Sequence, residues 1–118
     1  MYSEEIMKRF TNPKFFGKLD NPDVIGNAGN SRCGDILTIY LKIDKKKIKD
    51  IKFETLGCVS AIAASDMVCE LAKGKTLKKA LEISSTDISK ELGSLPALKV
   101  HCAQLVTQAL KDAIRKYK

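Results

Sequence analysis

A chain of 118 residues with 44% hydrophobic content is long enough to bury a core as one domain, and too apolar to be disordered. Its formal net charge is +7, yet the lysines are scattered, aromatics make up only 6% and tryptophan is absent, so nucleic acid is not an expected partner. No apolar run could span a bilayer and MYSEEIMKRF is no signal peptide, which predicts a single cytoplasmic domain over 1–118 with no membrane contact.

Residues 2–10 have helical composition, with Ile6, Met7 and Phe10 on one face and Asn12-Pro13 as the stop. Residues 17–31 are rich in Gly, Asn, Asp and Pro and read as loop, with at most a short strand over 24–28. From Asp35 the pattern alternates. Leu37, Ile39, Leu41 and Ile43 share one side, which predicts a half-buried strand. A lysine-rich turn follows Asp44, and 48–56 repeats the alternation with Ile51 and Phe53 facing in, so the two strands form a hairpin.

Gly57 breaks the second strand, and 58–73 reads as a helix closed by Gly74. Thr76 or a neighbour is placed to cap a short helix to Ile83, and Ser85 to cap another over 86–92, stopped by Gly93. The last helix opens near Ser94-Leu95-Pro96 and runs to about Lys116, with Val106, Ala109, Leu110, Ala113 and Tyr117 at helical spacing. Strands first and helices after predict an α+β domain: a small antiparallel three-stranded sheet with helices packed on one face.

Four cysteines carry the chemical interest: Cys33, Cys58, Cys69 and Cys102. Without a secretory signal their compartment is reducing, so metal or catalytic use outranks disulfides. None forms a CxxC pair, and any metal site must be assembled from distant parts of the fold. Cys33 sits at the mouth of the first hairpin strand and Cys58 just after the second, so antiparallel pairing brings them to one end of the sheet. Cys58 also opens a helix, where partial positive charge favours a thiolate. Cys102 lies early in the last helix beside His101, the only histidine. Asp35 is two residues beyond Cys33 and points to the same side of a strand. Soft thiolate and hard carboxylate are then offered to one place.

The plain alternative for each cysteine is a small buried hydrophobe, and for Cys69, three helical turns after Cys58 among Val68, Leu71 and Ala72, that alternative is expected to hold. Two other motifs lead nowhere. Gly74-Lys75-Thr76 imitates the end of a P-loop, but Cys69 stands where its first glycine belongs. A Cys-His-Asp nucleophile system is poorly served by His101 and Cys102, neighbours that diverge by about 100° on a helix. The residues alone leave open a structural zinc module and a basic nucleic-acid-binding module.

Cys33-Gly34-Asp35, Gly57-Cys58-Val59-Ser60-Ala61-Ile62-Ala63 and Lys99-Val100-His101-Cys102, with Tyr2-Ser3-Glu4, Asn12-Pro13 and Gly74-Lys75-Thr76-Leu77, resemble in order and spacing the IscU-type iron–sulfur cluster scaffolds, the N-terminal domain of NifU-type proteins. The resemblance implies the NifU/IscU-like (SufE-like) fold. It also implies a non-enzymatic scaffold that assembles a [2Fe–2S] cluster from iron and desulfurase-derived sulfur, then passes it to apoproteins. Cys33, Cys58 and Cys102 would be thiolate ligands, completed by Asp35, His101 or a partner residue. Lys99 would stand beside them, Cys102 would accept persulfide sulfur, and Zn²⁺ would be an alternative occupant. Implied partners are a cysteine desulfurase, apo iron–sulfur proteins, an iron or electron donor and a second copy in a homodimer. Hsp70/Hsp40-type chaperones are weakened as partners, because Leu95-Pro96-Ala97-Leu98-Lys99 departs from the family's Leu-Pro-Pro-Val-Lys.

Overall fold

The computed structural model describes residues 4–30, 35–55, 59–93 and 100–117. Three antiparallel strands, β1 (Val24–Asn30), β2 (Asp35–Asp44) and β3 (Lys47–Thr55), form a sheet in the order β1-β2-β3. The helices among the described residues lie to one side of it: α1 (Glu4–Thr11), α2 (Val59–Ala72), α3 (Leu77–Ala80), α4 (Ser85–Glu91) and α5 (Val100–Lys116). The α+β layout expected from the order of the patterns is the one observed. None of the described helices is long and apolar enough to cross a membrane.

Alternation in the hairpin has the predicted phase. Leu37, Ile39, Leu41, Ile51 and Phe53 are fully buried beneath the helices, and Ile48 joins them after a register shift between Lys42 and Ile43. The opposite face stays open, with Ile36 50% exposed. β1 is longer than the sequence promised. Its partners run from Val24↔Leu41 to Asn30↔Asp35, and this continuous ladder holds a glycine- and asparagine-rich segment extended despite low strand propensity. Residues 15–17 add to the outer edge of β3: the Gly17 amide donates to the Phe53 carbonyl at 2.8 Å and the Phe53 amide to Phe15 at 2.9 Å. That edge is thereby protected from strand pairing with other chains.

The helix α5 crosses β1 at Gly26. A Cβ built there would stand 2.4 Å from the Ala109 carbonyl oxygen and 2.5 Å from the Ala113 nitrogen. Only a glycine permits this approach, since backbone atoms cannot swing aside as a side-chain tip can. Gly26→Ala is expected to destabilise the domain by about 1–3 kcal/mol or more through overpacking. An unchanged urea midpoint would contradict this close approach.

The first helix departs from expectation. Ile6 is buried as predicted, but Met7 and Phe10 are exposed and Arg9 is the other buried residue. The cause lies in α2. Asp66, with no exposed surface, accepts Arg9 Nη1 at 2.7 Å, while Glu5 and Glu70 take Nε and Nη2 at 3.0 and 2.9 Å. Asp66 Oδ1 also accepts the Phe15 amide at 2.9 Å. Burial on its own would pull the Arg9 pKa down; the hydrogen bonds from Arg9 to Glu70 and Asp66 outweigh it, and the net shift is upward.

The remaining boundaries differ in detail. Thr76 caps α3 as expected, its hydroxyl accepting the Lys79 amide at 3.2 Å, but the helix ends at Ala80 rather than Ile83. α4 is capped by Ser84, not Ser85: the Ser84 hydroxyl accepts the Asp87 amide while the Asp87 carboxylate accepts that of Ser84. Val106, Ala109, Leu110 and Ala113 line the buried face of α5 as predicted, and Tyr117 is half-buried against the core. Its expected opening at Ser94-Leu95-Pro96 lies outside the described residues.

Candidate metal centre

Antiparallel pairing sets the start of β2 beside the ends of its neighbours. Asp35 opposes Asn30, the last residue of β1, and Leu37 opposes Thr55, the last residue of β3. The Thr55 hydroxyl donates to the Ile36 carbonyl at 2.8 Å and closes this corner of the ladder. α2 begins four residues after Thr55 and ends near the far edge, where the Gly74 amide donates to the Ile48 carbonyl at 2.9 Å. It therefore runs back along the sheet from the Asp35 end.

α5 runs antiparallel to β1. Asp112 Oδ2 accepts the Asn27 amide at 3.0 Å, and Lys116 Nζ reaches the Ile25 carbonyl at 3.4 Å. The Asn27 hydrogen bond, followed by that of Lys116, holds the Asp112 carboxyl below its ordinary pKa. From this anchor, ten helical residues toward Cys102 cover about 15 Å, and three strand residues toward Asn30 about 10 Å. The first turn of α5, carrying His101 and Cys102, thus lies at the end of the sheet where β2 starts.

Two helix N-termini and one strand start consequently share an edge. Each N-terminus contributes partial positive charge, which favours thiolates and other anions there. Asp35, His101 and Cys102 have backbone positions at this edge. Cys33, Cys58 and Lys99 lie outside the described residues; in the chain, Cys33 precedes Asp35 by two positions and Cys58 directly precedes the first residue of α2.

Cys69 behaves as expected. It is fully buried in the core, and burial pushes its thiol well above the ordinary pKa, so it stays protonated and a poor ligand. On the open sheet face beside the candidate edge, Phe16, Ile36, Thr38, Glu54 and Thr55 line a shallow cavity of about 280 Å³. Glu54 accepts the Tyr40 hydroxyl there, and this bond, aided by desolvation, pushes the Tyr40 pKa up to about 12. Asp66 and Arg9 are the residues that sequence reading missed. A carboxylate inside the otherwise uncharged stretch Val59–Cys69 was the available sign.

The family defined as the NifU-like N-terminal domain matches residues 1–118. The chain belongs to this family. This NifU-like N-terminal domain is 46% identical to iron–sulfur cluster assembly scaffold protein IscU 1 of Archaeoglobus fulgidus, over 99% of its own length and 76% of the relative's. It is 43% identical to the scaffold protein IscU of Escherichia coli K12, covering 99% and 94%. Among solved structures it is similar to a protein of Fervidobacterium islandicum described as an iron–sulfur cluster assembly scaffold for the SUF system. That match has a TM-score of 0.79 and 28% identity, covering 96% of each chain. A NifU-like N-terminal structure from Brucella abortus, at 23% identity and a TM-score of 0.72, shares the fold of this NifU-like N-terminal domain.

Proposed function

We propose that this chain is a scaffold on which a [2Fe–2S] cluster is assembled and from which it is handed to apoproteins. The observation that carries the proposal is the meeting of the β2 start with the N-termini of α2 and α5 at one edge, in a family whose relatives are named iron–sulfur cluster assembly scaffolds. Cys33, Cys58 and Cys102 act as thiolate ligands, and Asp35 or His101 completes the set. Lys99 adds positive charge beside them. Cys102 receives sulfur as a persulfide from a cysteine desulfurase, and an electron donor supplies the reduction to sulfide. The protein provides positions and charge for this chemistry and is not itself the enzyme. A reducing compartment such as the cytoplasm suits thiolates kept free of disulfides.

A storage protein favours four thiolates, whereas a scaffold must let its cargo go. A hard oxygen ligand binds iron–sulfur cargo less firmly than a thiolate and makes the site labile. Asp35→Ala is therefore expected to slow cluster transfer to an apo-ferredoxin. Transfer as fast as the parent's, followed by visible absorbance under anaerobic conditions, would rule out that role. The proposal as a whole is tested by anaerobic reconstitution with ferrous iron and sulfide, followed by metal and sulfide analysis. A protein that takes up zinc but never develops cluster absorbance would instead be a zinc module.

A further inference from the structure

Lysines from two separate stretches of the sequence meet in space. Lys45 and Lys46 form the two-residue turn between β2 and β3, flanked by Lys47. The segment after α2 is fastened to this turn by backbone hydrogen bonds. The Ile48 amide donates to the Lys75 carbonyl, and the Leu77 amide to the Lys46 carbonyl, each at 2.9 Å, and Lys47 bridges Thr76. Lys75, Lys78 and Lys79 thereby join the turn lysines at one tip of the molecule, and all are exposed. Among the described residues, Lys73 is the one lysine of this tip in an ion pair, 3.9 Å from Asp50.

The turn adds an independent observation. Lys45 and Lys46 both have positive φ, 52° and 63°, a backbone that favours Asn or Gly and costs a lysine. The chain keeps two lysines where an Asn-Gly pair would be relaxed. Strain retained at an exposed tip points to use of the side chains. The tip also lies opposite the candidate metal centre, separated by the length of β2, about 30 Å for ten residues.

We infer that this lysine tip is a docking surface for an acidic protein partner, one that stays bound while the opposite end is free to exchange its cargo. Charge complementarity selects an acidic surface. A protein is favoured over a polyphosphate backbone because Asp44 and Asp50 stand among the lysines, and individually placed carboxylates can avoid them where a continuous line of phosphates cannot. The turn and the 73–79 segment also supply no aromatic ring for stacking on bases.

The test uses the full chain without a cluster, so its outcome is independent of the scaffold reading. The probe is a peptide of alternating Glu and Ser, with binding measured at about 0.15 M ionic strength. K45E/K46E and K78E/K79E are each expected to weaken binding about tenfold, whereas K8E/K18E, which changes net charge equally elsewhere, leaves it within about twofold. Lys→Gln pairs at the same tip positions keep the test valid if a charge reversal fails to fold. Equal weakening by K8E/K18E would overturn the inference, as would no binding by the parent chain. Duplex DNA or phosphatidylglycerol vesicles displacing the peptide at equal charge would overturn it in favour of those partners.

Discussion

Cys58→Ser is expected to abolish stable cluster reconstitution, and Cys33→Ser and Cys102→Ser to do the same, while Cys69→Ser leaves it intact. Serine keeps the size of the side chain but replaces a soft, readily ionised donor with a hydroxyl that stays protonated near neutral pH. Cys58 directly precedes α2 in sequence, and Cys102 is the third residue of α5. Both belong to helix starts whose dipoles favour the thiolate, and serine gains little from that field. Cys69 is sealed in the core with its thiol held protonated, so its replacement should cost stability and no iron. Visible absorbance with iron and sulfide content after anaerobic reconstitution checks all four. Normal absorbance from Cys58→Ser would remove it from the ligand set.

The largest stability loss is expected from Asp66→Ala. That substitution strips Arg9 of its buried partner and leaves the Phe15 amide without its acceptor. Removing one member of a buried ion pair costs about 3–5 kcal/mol, and because Arg9 keeps its half-exposed partners Glu5 and Glu70 the expected loss lies at the lower end of that range. For a domain of this size the melting temperature should fall by roughly 10–20 °C. Arg9→Met combined with Asp66→Leu should cost less than the sum of the single changes, since neither charge is then stranded. A loss below about 1 kcal/mol for Asp66→Ala in urea denaturation would show the network to be dispensable. Glu5 and Glu70 are half-exposed, and each alone should matter far less.

How much was legible follows from the range of each interaction. Alternation at Leu37, Ile39 and Leu41 and helical spacing at Val106, Leu110 and Ala113 are local patterns, and both elements form where those patterns lie. The hairpin was legible because its turn is two residues long, and adjacency in sequence makes adjacency in space cheap. α1 was misread at Met7 and Phe10 because its buried face is chosen by Asp66, 57 residues away from Arg9. β1 was underestimated because its residues favour strand only when a ladder is offered. Among the candidate ligands, antiparallel logic brought Cys33 and Cys58 to one sheet end, whereas Cys102 joined them only through the motif resemblance, because no local pattern says where α5 starts relative to the sheet.

The sequence by itself determined the element types, the α+β fold class, the core place of Cys69 and the family. Each of these rests on residue identity and short-range periodicity, which survive without knowledge of the fold. Only the tertiary structure decided that α5 lies antiparallel to β1 over Gly26, that Arg9 turns inward, and that lysines from two chain segments meet at one tip. Those outcomes depend on contacts between segments far apart in the chain, where close packing and charge burial, rather than local propensity, select the arrangement.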